Sequence, residues 1–175
     1  MAGKLYERAT RRCAPGEIDG ALQAAVAAHA GQHQLGDVLG DAVRCCETRS
    51  VRVGKPGLLA RLTGSGDKDA EHRTVALFTP RHLVIAVTGE VRGTHVRSAR
   101  LDGVSLADML SADASPKLAA IAAKLGADDG VSVTATWSGS TGPEAASAFF
   151  LGLDAAEGEA FRQALTEAVA AAKQR

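Results

Sequence analysis

His29 and His33 stand four residues apart, the spacing that sets two imidazoles on one helical face, and Asp37 and Asp41 repeat that spacing nearby. This begins a metal-ligand set without completing one: Gly31 separates the histidines and no third ligand follows in pattern, so structural or exposed histidines are the better reading. Cys13, Cys45 and Cys46 are an odd number of thiols without framework spacing, which fits reduced cysteines in a reducing compartment. As strand neighbours, Cys45 and Cys46 point to opposite faces and are poorly placed to chelate together. Either could pair with a distant histidine, which leaves a cysteine-dependent hydrolase or redox role open beside the commoner buried, inert cysteine. Gly54-Lys55 lacks the glycine spacing and following Ser/Thr of a phosphate-cradling loop. Asp67-Lys68-Asp69 starts like a calcium loop but has neither its glycine nor its terminal glutamate. Ser138, Ser140 and Thr141 lie in a glycine-rich turn, and Ser138 occupies the place where a nucleophile elbow needs its first glycine. The expectation is a protein without a catalytic site, a metal or a cofactor.

Charge points instead to recognition. The 175 residues sum to a formal charge of zero, but the charge is unevenly spread. Arg44 to Arg100 holds eleven Lys/Arg against five Asp/Glu, giving +6. Cys13 to Val43 carries four acids and no base, and Leu101 to Arg175 carries ten acids against five bases. Within the basic block, Leu58, Leu59 and Leu62 lie among Lys55, Arg61 and Lys68, the combination of bases and insertable apolar side chains that peripheral binding to anionic phospholipid needs. A solvated strand face is the plainer account of such a block. Nucleic acid is disfavoured as a partner, because the overall balance is not basic and Tyr6 and Trp137 are too few and too far apart to stack bases.

The elements that must position these residues divide at Arg44. Alanine-rich Glu17 to Ala30 reads as a helix, with Ile18, Leu22, Ala25 or Val26 and His29 on one side and Gly31 as its stop. Leu35, Val38, Leu39, Ala42 and Val43 continue an apolar stripe that predicts a second short helix. The basic start (Lys4, Arg8, Arg11, Arg12) reads as a disordered tail, so residues 1–43 are expected to form a tail and helical appendage. From Arg44 the period becomes that of strands. Thr74 to Phe78 and Leu83 to Thr88 flank Thr79-Pro80-Arg81-His82 as a hairpin. Thr94 to Leu101 is a further strand, Leu106 to Leu110 a turn, and Pro116 to Leu125 a short helical insertion. Val131 to Ser138 alternates with Val131, Val133, Ala135 and Trp137 inward, and Glu144 to Leu153 closes the strands. Asp154 and Glu157 have capping-box spacing ahead of a last helix striped by Phe161, Leu165, Ala168 or Val169 and Ala172. No apolar run approaches a spanning length and no signal-peptide core follows the basic start, so a cytoplasmic, possible membrane-peripheral location is expected.

Strands ending in an amphipathic helix, with the run Ala76-Leu77-Phe78-Thr79-Pro80-Arg81-His82-Leu83-Val84-Ile85, resemble bacterial pleckstrin-homology-like (PH-like) domains. Arg100-Leu101-Asp102-Gly103-Val104 and Phe149-Phe150-Leu151-Gly152 through Phe161 are similar to that family's later segments. The likeness covers residues 44–172 and implies an α+β, mainly β fold: a seven-stranded bent sheet or partly open barrel over residues 44–175, capped by the C-terminal helix. It implies no particular ligand, since the fold hosts lipid, peptide and protein binding alike. In phosphoinositide-binding relatives the first two strands and their loop hold the headgroup, and the matching bases here are Arg52, Lys55, Arg61, Lys68 and Arg73. Glu71 stands where that pattern has a second base.

Together these readings predict a non-catalytic binding or scaffold module that mediates protein interaction or self-association. The apolar face of the N-terminal helices is expected to seek a second copy or a partner, because a barrel closed by its own helix has no place for it. The alternative is peripheral attachment to anionic phospholipid through Arg52, Lys55, Leu58, Leu59, Arg61, Lys68 and Arg73.

Overall fold

The computed structural model describes residues 6–53, 69–108, 130–142 and 145–175. Eight strands lie among them. A five-stranded antiparallel sheet runs in sequence order β1 (Tyr6–Arg12), β2 (Arg44–Arg52), β3 (Glu71–Phe78), β4 (His82–Gly89) and β5 (Gly93–Arg100). A three-stranded sheet follows as β6 (Ser105–Asp108), β7 (Gly130–Thr136) and β8 (Ala146–Gly152). Helix α1 (Gly20–Gln32) separates β1 from β2, and helix α2 (Ala155–Lys173) ends the chain. The class is α+β and mainly β, with a C-terminal helix as expected, and the sheets are open rather than closed into one barrel.

The large sheet is covered on both faces, which explains why β3 and β4 carry buried apolar runs, Val75–Phe78 and Leu83–Val87, rather than a strict alternation. Strand geometry sends alternate residues to opposite sides. On one side Cys46, Ala76, Phe78, Leu83, Ile85 and Ala99 meet Val131, Val133, Ala135 and Trp137 of the small sheet region and Phe161, Leu165 and Val169 of α2. The inward set anticipated for β7 is buried there, as are Phe161, Leu165 and Val169 of the stripe anticipated for α2, while Ala172 is partly buried against them. Phe78 and Phe161 meet edge to face at 5.7 Å between ring centroids. On the other side Cys13, Cys45, Val75, Leu77, Val84 and Ala86 pack beneath Ile18, Leu22, Val26 and Ala30.

Three expectations for residues 1–43 change. Tyr6–Arg12 is not a loose tail but an edge strand, in register from Tyr6↔Arg52 to Arg12↔Cys46. Its Thr10 hydroxyl meets that of Thr48 at 2.9 Å and accepts from the backbone N–H of Asp154 at 2.8 Å, fastening the start of α2. The apolar face of α1 is covered by the protein's own sheet, so it is not left for a second copy. The second short helix is absent from residues 33–43. Helix α1 runs through Gly31 and ends in a Schellman motif, with Leu35 N–H donating to Ala30 O at 2.9 Å and Gln34 N–H to Gly31 O at 3.3 Å. Gln34 takes the left-handed conformation at φ 55° and Gly36 follows at φ 82°, which turns Leu35, Val38 and Leu39 back onto the sheet without a helix.

The hairpin at residues 79–82 forms as expected. Thr79 N–H donates to His82 O at 2.9 Å, and the Thr79 hydroxyl accepts from the N–H groups of Arg81 and His82. Leu106 to Asp108, anticipated within a turn over Leu106 to Leu110, belong instead to strand β6, which pairs with β7. Asp154 has the N-cap place of α2, but its side chain makes no cap hydrogen bond. The insertion expected at residues 116–125 lies outside the described residues. No helix among the described residues is long and apolar enough to cross a membrane.

Candidate functional site

Of the basic residues matched to headgroup binding, Lys55, Arg61 and Lys68 lie outside the described residues, as do Leu58 and Leu59. Arg52 and Arg73 are described, and the sheet separates them. Arg73 is directly opposite Arg49, three residues from Arg52 on β2, so Arg52 and Arg73 occupy opposite faces. Arg52 is on the side of Tyr6, its guanidinium carbon 6.0 Å from that ring's centroid. Arg73 belongs to a ladder of charges crossing β1, β2 and β3. There Arg11 Nε donates to Glu47 at 2.7 Å, Arg49 makes a bidentate pair with Glu71, and Arg73 lies 3.8 Å from both carboxylates. The Arg49 guanidinium, with Arg73 behind it, holds Glu71 below the usual carboxylate range. Glu71, the departure from the headgroup pattern, thus offsets two arginines of the basic block on its own sheet face.

The other chemistry-bearing residues resolve into structural contacts. The His29 and His33 rings meet at 4.4 Å, and His29 Nε2 is 2.8 Å from the Ser98 hydroxyl, which donates to Ser138 Oγ at 2.9 Å. This chain joins α1, β5 and the turn after β7. Asp37 accepts from Gly40 N–H at 2.9 Å. Asp69, from the calcium-like run, accepts from Val91 N–H and Arg92 Nε, both at 2.6 Å, and braces the β4–β5 turn. Among the described residues no group of three or more His, Cys, Asp or Glu is placed to hold a metal ion. Cys45 and Cys46 take opposite faces, as strand geometry requires, one in each core.

A different set of bases converges where the β3–β4 turn meets the end of α2. The register sets His82 directly opposite Arg100 on β5. Leu101 N–H donates to Arg81 O at 2.9 Å, which draws the 3-10 turn Leu101–Gly103 against the hairpin tip. The last helical turn arrives from the other side, and the Arg175 guanidinium reaches Pro80 O at 3.4 Å. Pro80, Arg81, His82, Arg100, Asp102, Ala172 and Arg175 line a cleft of about 560 Å³. Among them are three guanidinium side chains and one acidic side chain. Arg100 holds Asp102 through two hydrogen bonds of 3.1 and 2.7 Å, and that pairing keeps the Asp102 carboxyl below its ordinary range. Arg81 has no ion-pair partner among the described residues. Burial pushes the His82 imidazole down, and Arg100 and Arg81 push it further, so near neutral pH it offers a neutral ring nitrogen beside the guanidinium groups.

The described lining contains no Ser, Thr or Cys to serve as a nucleophile. What it presents is forked N–H donors around a solvent-open hollow, the arrangement that holds carboxylate or phosphate oxygens in bidentate fashion. In the sequence Thr79 to His82 reads as a turn and Arg100 to Val104 as a family segment, and nothing there joins either to the C-terminus. The hairpin register could have paired His82 with Arg100, but the arrival of Arg175 depends on how α2 packs. Compared with protein-family models, with curated proteins and with solved structures, the chain matches none.

Proposed function

We propose that this protein is a non-catalytic binding module of PH-like architecture that holds an acidic segment of a protein partner in the cleft between the β3–β4 turn and the end of α2. The observation that carries this reading is the convergence of Arg81, Arg100, Arg175 and His82 on one open hollow whose lining has a single acidic side chain, Asp102. The architecture supports the PH-like part. With β1 set aside, four antiparallel strands and then three are followed by a helix whose Phe161, Leu165 and Val169 fill the space between the sheets. A protein segment suits the cleft better than a membrane surface, because the described apolar lining is only Pro80 and Ala172, neither long enough to insert among lipid tails.

The test is titration of the purified protein with a glutamate-rich peptide, beside vesicles of phosphatidylcholine alone or mixed with phosphatidylserine. Salt-sensitive peptide binding is expected, and Arg81→Glu combined with Arg175→Glu should weaken it about tenfold or more, each reversal replacing an attraction by a repulsion. Binding to phosphatidylserine vesicles but not to peptide would transfer the function to anionic membrane and to the 54–73 segment. Peptide binding unchanged in the double variant would remove the cleft from the account.

A further inference from the structure

Cys13 and Cys45 lie directly opposite each other at the end of the β1–β2 pair, one step beyond the Arg12↔Cys46 register, and Cys13 N–H donates to Cys45 O at 3.2 Å. Their sulfurs are 3.2 Å apart, both thiols are free, and both line a cleft of about 370 Å³ with Arg12, Glu17 and Arg44. Cys46 faces the opposite core, behind the sheet. We propose that Cys13 and Cys45 form a reversible dithiol–disulfide site, oxidised by a small hydroperoxide entering this cleft and reduced by a thiol.

A disulfide needs the sulfurs at about 2.05 Å, so one of them has to move by roughly an ångström. Cys13 is the residue positioned to do so. It is the first residue past β1, where the chain leaves the sheet for the 3-10 turn Pro15–Glu17, whereas Cys45 is held within β2 between β1 and β3. The surroundings of the pair also favour these roles. Either sulfur can donate in the Cys13–Cys45 contact, but Cys13 has Arg11 two residues back on the same strand face, and the contact together with Arg11 draws its thiol down, while the same contact and burial push Cys45 up. In the first step the Cys13 thiolate attacks one peroxide oxygen, the O–O bond breaks, and the leaving oxygen takes a proton, giving a sulfenic acid and water when the oxidant is hydrogen peroxide. In the second the Cys45 sulfur attacks the sulfenic sulfur, the S–O bond breaks, and the hydroxyl leaves as water with the Cys45 proton. The sum is two thiols and one peroxide giving one disulfide and two waters. The bond closes the loop carrying α1, so oxidation would fasten that helix's connections to the edge of the sheet.

The experiment exposes the native full-length protein to hydrogen peroxide, then unfolds and alkylates it for mass spectrometry. The expected product takes one alkyl group where the untreated protein takes three, contains a Cys13–Cys45 linked peptide pair, and returns to three after dithiothreitol. Cys46→Ser should form the same link, and Cys45→Ser should accumulate a dimedone-reactive sulfenic acid at Cys13. All three thiols still alkylated after treatment, a link that includes Cys46, or a link only between molecules would overturn the proposal. Dimedone labelling of Cys45 in Cys13→Ser as strong as that of Cys13 in Cys45→Ser would overturn the assigned roles. The wild-type measurement decides the link itself even if a serine variant folds poorly.

Discussion

Two histidines at different places in the fold share one physical situation. His29 is drawn below its ordinary pKa of 6.5 by burial and then by the neighbouring His33, and its other surroundings include Ser98 of β5. His82 is lowered by burial and then by Arg100 and Arg81, with Asp102 opposing them. On unfolding both return to about 6.5, so below that pH the unfolded chain takes up protons that the folded chain resists. Their contribution to stability is therefore complete above about pH 6.5 and is lost as pH falls from there toward the folded-state values. Asp69, Asp102 and Glu71 are held below the carboxylate range and titrate under that window. The melting temperature should drop between roughly pH 7.5 and pH 5.5, and should drop less in the doubly substituted His29→Gln, His82→Gln protein. Parallel melting curves for the two proteins would mean that neither imidazole feels the burial assigned to it. The sequence identifies His29 as a helix-face residue but cannot supply its partner, because Ser98 is sixty-nine positions away and meets it only when α1 crosses β5.

Elements are legible where one period runs without interruption. Val131 to Trp137 and the Phe161 to Val169 stripe need only alternation or helical spacing, and the structure buries the residues those periods select. The Thr79 to His82 turn is legible because its side-chain and backbone bonds are local. The end of α1 is not, because glycine is the usual left-handed residue and Gly31 offers itself as the stop. The chain instead places Gln34 there at φ 55°, with its N–H bonded back to Gly31 O. A left-handed backbone costs a residue with a β-carbon about 1 kcal/mol relative to glycine, and glycine is strongly favoured at this position of a Schellman motif. Gln34 is exposed, so its side chain contributes little packing in return. Gln34→Gly should stabilise the protein by about 1 kcal/mol, read as a higher urea midpoint at unchanged slope. An unchanged or lower midpoint would show that the Gln34 side chain holds something the helix end requires.

At the scale of the molecule, one sheet is the floor of both cores: α1 covers one face and α2 with the small sheet covers the other. That arrangement is hard to see in the sequence because β1 carries four charges in seven residues and lacks an apolar alternation. Its pattern makes sense only against β2, where Arg11 meets Glu47 and Thr10 meets both Thr48 and the start of α2. A division of the chain at residue 43 would take this strand out of the sheet and α1 off its face. Without β1, the edge of β2 would present unpaired N–H and C=O groups, a template for another chain. Glu47, only 6% exposed, would also lose the closest of its arginine partners. Deleting residues 1–12 should therefore do more than trim a tail: the remaining chain is expected to melt well below the intact protein and to aggregate as it does. In the intact protein, Trp137 fluorescence reports the α2 side and helical circular dichroism reports α1 as well as α2. The two signals should fall together on heating, because neither core keeps its floor when the other loses it. Separate transitions, or a truncated chain that melts with the full-length protein, would show that β1 and α1 are an attachment to the sheet rather than part of its cooperative unit.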